Sequence, residues 1–101
     1  MQSLLNHLVI GGSAVAVKDL IEQIAKALVD NPDEVAVRLI EGEETTVLQL
    51  RVAHDELGKV IGNHGRTFHS IQKILSAAGM KSKKRFVLEL VASEDRIAVP
   101  E

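Results

Sequence analysis

Apolar residues recur at helical spacing near the start of the chain and predict a first helix from about Ala14 to Asp30. The apolar stripe consists of Val17, Leu20, Ile21, Ile24 and Leu28. Charged and polar residues fall mainly on the other side, as in a helix that covers a core with one face. Asn31-Pro32 is expected to end the helix, because proline disfavours helical geometry in the residue before it.

Two segments with alternating apolar residues follow and predict a β-hairpin. Val35, Val37 and Leu39 form one alternating set, and Leu48, Leu50 and Val52 form the other. Period-two patterning with β-branched residues is typical of strands. Between the two strands, the acidic stretch 41–44 predicts the hairpin loop, with Gly42 supplying the turn.

Two further helices are predicted after the hairpin. The first is short and begins near Asp55, which we predict as its N-cap. The second runs from Arg66 to Ala78, and Gly79 is predicted to end it as a C-cap. Its core face is expected to carry Ile71, Ile74, Leu75 and Ala78, with Phe68 at the margin.

The last apolar alternation predicts a third strand from about Arg85 to Val91, with Phe86, Leu88 and Leu90 facing inward. The order helix, strand, strand, helix, helix, strand predicts an α+β domain with helices on one face of a three-stranded sheet. We therefore assign residues 14–91 to the domain, 1–13 to an N-terminal extension and 92–101 to a C-terminal tail.

Composition narrows the possible functions. A chain of 101 residues accommodates one domain. The absence of cysteine excludes disulfides and thiolate metal sites, which fits the cytoplasm. No apolar run approaches the length of a membrane span, so we expect no membrane association. With two phenylalanines and no tryptophan or tyrosine, an aromatic platform for stacking bases is not expected.

The two halves of the chain differ in charge, although the whole chain carries only −2. Residues 1–50 have a net charge of −5, whereas residues 51–101 have a net charge of +3. The window 57–86 holds seven basic residues and no acidic one. Such a separation is typical of a surface that binds a polyanion, although a solvated basic helix would give the same pattern.

A Gly-x-x-Gly turn, Gly62-Asn63-His64-Gly65, lies between the two later helices. Glycine adopts backbone angles that other residues avoid and lets a ligand approach the main chain. Free N–H groups at the start of the following helix attract anions. We therefore expect the backbone amides of the turn, flanked by Lys59 and Arg66, to bind phosphate groups. Protonation of His64 would strengthen such binding, but a merely solvent-exposed turn residue is an equal alternative.

Residues 57–67 resemble the signature of KH-domain RNA-binding proteins, which grip about four nucleotides with this loop. Residues 27–35 and 83–89 are similar to the KhpA family of small bacterial single-KH proteins. The resemblance implies a type II KH fold and a groove floored by Val60 and Ile61. The RNA-binding set that we expect is Lys59, Val60, Ile61, Gly62, Asn63, His64, Gly65, Arg66 and Lys73.

The resemblance also implies partners. Members of the KhpA family pair with themselves or with a larger KhpB-like KH protein, and are linked to RNA chaperoning, cell-wall growth and cell shape. Phe68 is either a core residue or a dimer contact. An interaction subunit that uses the same helices mainly to bind a protein partner stays an alternative. No metal, cofactor, small-molecule substrate or catalysis is expected, since the sequence holds neither a P-loop nor an HExxH pair.

Overall fold

The computed structural model describes residues 13–93. The predicted N-terminal extension, 1–13, lies outside this range except for its last residue. The predicted C-terminal tail, 92–101, lies outside it except for its first two residues. No helix between residues 13 and 93 is both long and apolar enough to cross a membrane.

Three helices and three strands follow one another in the predicted order. Helix α1 is Ser13–Leu28, β1 is Ala36–Glu41, β2 is Thr45–Ala53, α2 is Leu57–Ile61, α3 is Arg66–Ser82 and β3 is Arg85–Ser93. Short 3-10 turns at Pro32–Glu34, His54–Glu56 and Asn63–Gly65 join the elements. This order confirms the predicted α+β fold, and β3 continues two residues beyond the predicted end at Val91.

The three strands form one mixed sheet in the order β1-β2-β3. Strand β2 pairs antiparallel with β1 and parallel with β3. The register aligns Leu39, Leu48 and Leu88 across the sheet, so their side chains share the face that meets the helices. Because alternate residues of β2 are buried and all three helices contribute to one core, the core lies between this face and the helices.

The buried face of α1 differs from the predicted stripe. Val17, Ile21 and Ala25 are buried, whereas Leu20 and Leu28 are 45% and 37% exposed. Placing those two leucines in the core was therefore wrong. The buried positions 17, 21 and 25 are four residues apart and therefore lie on one face of the helix. The helix also ends two residues earlier than predicted, at Leu28.

Helix α3 is longer than predicted, because Gly79 does not end it. The helix runs to Ser82, and Lys83, with φ of 59°, provides the left-handed C-cap. Gly79 is buried, and a Cβ there would lie 2.3 Å from the carbonyl oxygen of Lys84. Glycine therefore allows the returning chain to cross close to the helix, and the N–H of Lys84 donates to the Gly79 carbonyl at 2.9 Å.

The side chain of Gln72 ties α3 to the backbone of β3. Its Nε2 donates to the Phe86 carbonyl at 3.0 Å, and its Oε1 accepts from the Leu88 N–H at 2.9 Å. The amide thus occupies backbone groups that a further strand would otherwise pair with. On the same helix, Ile71 and Leu75 are buried as predicted, but Ile74 is 46% exposed, so its assignment to the core was wrong.

Candidate nucleic-acid interface

The turn between α2 and α3 has an unusual backbone. Three of its four residues have positive φ: Gly62 at 81°, His64 at 59° and Gly65 at 75°. Gly62 has ψ of 173°, a combination that is essentially restricted to glycine. This backbone reverses the chain within four residues and presents the exposed side chains of Asn63 and His64 at its tip.

The two glycines are required for different reasons. A Cβ on Gly62 would lie 2.2 Å from Oγ1 of Thr67 and 2.8 Å from the Thr67 backbone nitrogen. A Cβ on Gly65 would have no atom within 4 Å. Gly62 therefore allows the turn to pack on the first turn of α3, whereas Gly65 is required only for its left-handed conformation.

Hydrogen bonds within the protein occupy two of the four backbone amides that we expect to bind phosphate. The N–H of Gly62 donates to the Gly58 carbonyl at 2.8 Å, and the N–H of Gly65 donates to the Gly62 carbonyl at 3.1 Å. Within residues 13–93, the backbone N–H groups of Asn63 and His64 have no acceptor. The amides available to an anion are therefore those of the middle pair, not those of the glycines.

The apolar pair before the turn divides into a core residue and a surface residue. Val60 is fully buried in the core, whereas Ile61 is 40% exposed. Of the two, only Ile61 offers a surface to a ligand beside the turn. Phe68, in the first turn of α3, is partly buried and packs against the core, and this position decides neither for nor against a dimer contact.

Lys59 is paired with two carboxylates. Its ammonium lies 3.0 Å from Oδ2 of Asp30 and 3.5 Å from Oε2 of Glu56. The hydrogen bond to Asp30 is the main reason that the pKa of Lys59 is raised, because it favours the charged ammonium. A phosphate that binds Lys59 must compete with Asp30. The sequence did not indicate this competition, because residues 57–86 contain no acidic residue and Asp30 lies outside that window.

Glu56 anchors the start of α2 to the end of α1. Its side chain is only 3% exposed and accepts hydrogen bonds from the backbone N–H groups of Asp30 and Asn31. These N–H groups follow the last residue of α1, and one carboxylate accepts from both of them. The acidic residue that acts here is therefore Glu56, and the predicted N-cap, Asp55, makes no side-chain capping bond.

Arg66 and Lys73 face a cleft on the outer side of α3. The cleft has a volume of about 470 Å³ and is lined by His64, Gly65, Arg66, His69, Ser70 and Lys73. Among residues 13–93, neither Arg66 nor Lys73 has a carboxylate within 4.0 Å. Of the predicted cations, these two are therefore available to an anion, in contrast to Lys59.

Sequence reasoning missed four residues of this region: Asp30, Glu56, His69 and Ser70. Asp30 is 29 residues from Lys59, and no local pattern indicates that they touch. His69 and Ser70 could have been predicted from the sequence, because positions 66, 69, 70 and 73 have the spacing of one helix face.

Comparison with known proteins gives a consistent result. The family model for the KhpA/KhpB KH domain matches residues 18–90. The chain is 54% identical to RNA-binding protein KhpA of Aquifex aeolicus over 76 residues, which cover 75% of this chain and 96% of that protein. It is 47% identical to RNA-binding protein KhpA of Clostridium acetobutylicum over 74 residues, covering 73% and 99%. No solved structure gives a significant match.

Proposed function

The chain belongs to the KhpA/KhpB KH-domain family, and from that premise we propose that it binds single-stranded RNA at the Gly-x-x-Gly turn. The relatives named above are RNA-binding proteins, and this chain spans nearly all of their length. The observation that carries the proposal is the exposed tip of the turn, where the backbone N–H groups of Asn63 and His64 make no hydrogen bond within residues 13–93.

In the proposed complex, a phosphate group accepts hydrogen bonds from the two free amides of the turn. Arg66 supplies positive charge beside the turn, Lys73 lies further along α3 for a longer strand, and Ile61 lies beneath the bases. Lys59 contributes only when the phosphate competes successfully with Asp30. Because these contacts read the backbone rather than base edges, we expect low sequence selectivity.

One such module binds RNA weakly, and pairing two modules would raise the avidity. We therefore propose that the protein acts in the cytoplasm as a homodimer or together with a KhpB-like KH protein. A role as an RNA chaperone, connected with cell-wall growth and cell shape, is part of this proposal. Family resemblance alone supports the pairing and the cellular role.

A second candidate is an interaction subunit that mainly binds another protein through the helices beside the turn. The observation that favours it is exposed apolar surface on both helices: Ile61 on α2 is 40% exposed and Ile74 on α3 is 46% exposed. The pairing of Lys59 with Asp30 also lowers the charge available to RNA.

Titration of the isotope-labelled protein with the tetranucleotide U4, followed by backbone NMR shifts, distinguishes the two candidates. The RNA-binding proposal expects the largest amide shifts at Asn63 and His64, followed by Gly65 and Arg66. The logarithm of the binding constant should fall against the logarithm of the salt concentration with a slope of about −2, as expected for roughly three phosphate contacts on a single strand. Shifts confined to Ile61 and Ile74 on adding a partner protein, with none on adding U4, would favour the second candidate.

A further inference from the structure

The outer side of α3 carries a polar face that extends beyond the turn. Arg66, His69, Ser70 and Lys73 lie at positions i, i+3, i+4 and i+7, which place them on one side of the helix. All four residues are exposed, and the buried Ile71 and Leu75 mark the opposite side. The face therefore takes no part in the core and is available to a ligand.

This face and the turn line the same cleft. His64 and Gly65 belong to the turn, whereas His69, Ser70 and Lys73 belong to the second and third turns of α3, and all five line the volume of about 470 Å³. Four to five helical residues rise by about 6 to 7 Å, which is comparable to the distance between successive phosphates of an extended strand. A strand held at the turn can therefore place its next phosphate near Ser70 and the following one near Lys73.

The groups of this face are suited to a phosphate. Lys73 provides a cation, Ser70 a hydroxyl donor, and His69 an imidazole that donates through one ring nitrogen in its neutral form and through both when protonated. The lining contains no carboxylate, and Lys73 has no acidic partner within 4.0 Å among residues 13–93. An incoming phosphate meets no competing anion here, in contrast to Lys59.

We propose that His69, Ser70 and Lys73 form a second phosphate site, onto which RNA longer than about four nucleotides continues from the turn. The inference rests on the proposed function and adds a direction to it: the strand leaves the turn along the outer side of α3. Lys73 was expected from the sequence to touch RNA, whereas His69 and Ser70 were not. The site binds the sugar–phosphate backbone and contributes length dependence rather than base selectivity.

The test compares the affinities of fluorescein-labelled U4 and U8 for the full chain, measured by anisotropy at low salt. A four-nucleotide site has about five registers on U8, so register counting alone gives about a fivefold gain over U4. Each additional exposed phosphate contact adds roughly threefold to fivefold. We expect the protein to prefer U8 by about fifteenfold or more, and Lys73→Gln and His69→Ala each to reduce that ratio toward about fivefold.

Lys81→Gln is the matched control, because it removes the same charge from the exposed surface of the same helix but outside the cleft. It should leave the ratio of the two affinities at the value of the unmodified protein, and thermal melts should show all three variants folded. A ratio near fivefold in the unmodified protein, or equal ratios in the Lys73 and Lys81 variants, would overturn the second site while leaving binding at the turn intact. Failure of U4 to bind at all would instead overturn the proposed function.

Discussion

Replacing the buried Glu56 by glutamine should destabilise the domain far more than its single-atom change suggests. The carboxylate is 3% exposed and accepts from the N–H groups of Asp30 and Asn31, while Lys59 lies at 3.5 Å. Glutamine keeps one acceptor oxygen and turns an amide donor toward the other N–H. One hydrogen bond is lost, and the part-buried N–H that it leaves unpaired costs about 1–3 kcal/mol. The other hydrogen bond becomes neutral and is weaker by about 1 kcal/mol.

The expected loss of unfolding free energy is therefore about 2–4 kcal/mol, to which the exposed lysine pair adds at most about 1 kcal/mol. Urea denaturation monitored by circular dichroism measures this loss, and the melting temperature should fall by roughly 4–8 °C per kcal/mol. Asp30→Asn is the control, because that carboxylate is 81% exposed and should change the unfolding free energy by less than about 0.5 kcal/mol. A Glu56→Gln protein as stable as the control would refute the anchoring role of Glu56.

Three further predictions follow from single contacts. Gly62→Ala should lower the free energy of unfolding by at least about 2 kcal/mol, and Gly65→Ala should lower it by about 1 kcal/mol, because only the first adds a steric clash to a positive φ. Urea denaturation measures both values, and equal losses would contradict this reasoning. Thr46→Val should stabilise the domain by about 1 kcal/mol in the same measurement, since its buried hydroxyl has no partner within residues 13–93. In RNA titrations, Asp30→Asn should raise the affinity roughly threefold by freeing the lysine beside the turn, and Asp33→Asn should raise it less.

The order of the helices and strands and the position of the turn could be predicted from the sequence, because both depend on local patterns. Periodicity cannot decide which side of an apolar helix meets the sheet, and therefore Leu20 and Ile74 were wrongly placed in the core. Gly79 looked like a helix end because glycine commonly serves there, but tertiary packing against Lys84 decides its role.

The candidate site shows the same division. Its residues Gly62 to Arg66 are contiguous, so the motif alone locates them. The pairing of Lys59 with Asp30 joins positions 29 residues apart, and the choice of free amides depends on hydrogen bonds inside the turn. Such details follow from the three-dimensional arrangement and have no counterpart in spacing or composition.

The most direct test of RNA binding at the turn is the affinity of the double variant Asn63→Asp, His64→Asp for U8. Both side chains are exposed, and aspartate tolerates the left-handed backbone of position 64 better than most residues. A control with Ala16→Glu and Gln23→Glu adds two negative charges on the exposed side of α1. We predict a melting temperature within a few degrees of the unmodified protein and an affinity at least about tenfold lower, with little change in the control. Equal affinities of the double variant and the control would contradict binding at the turn.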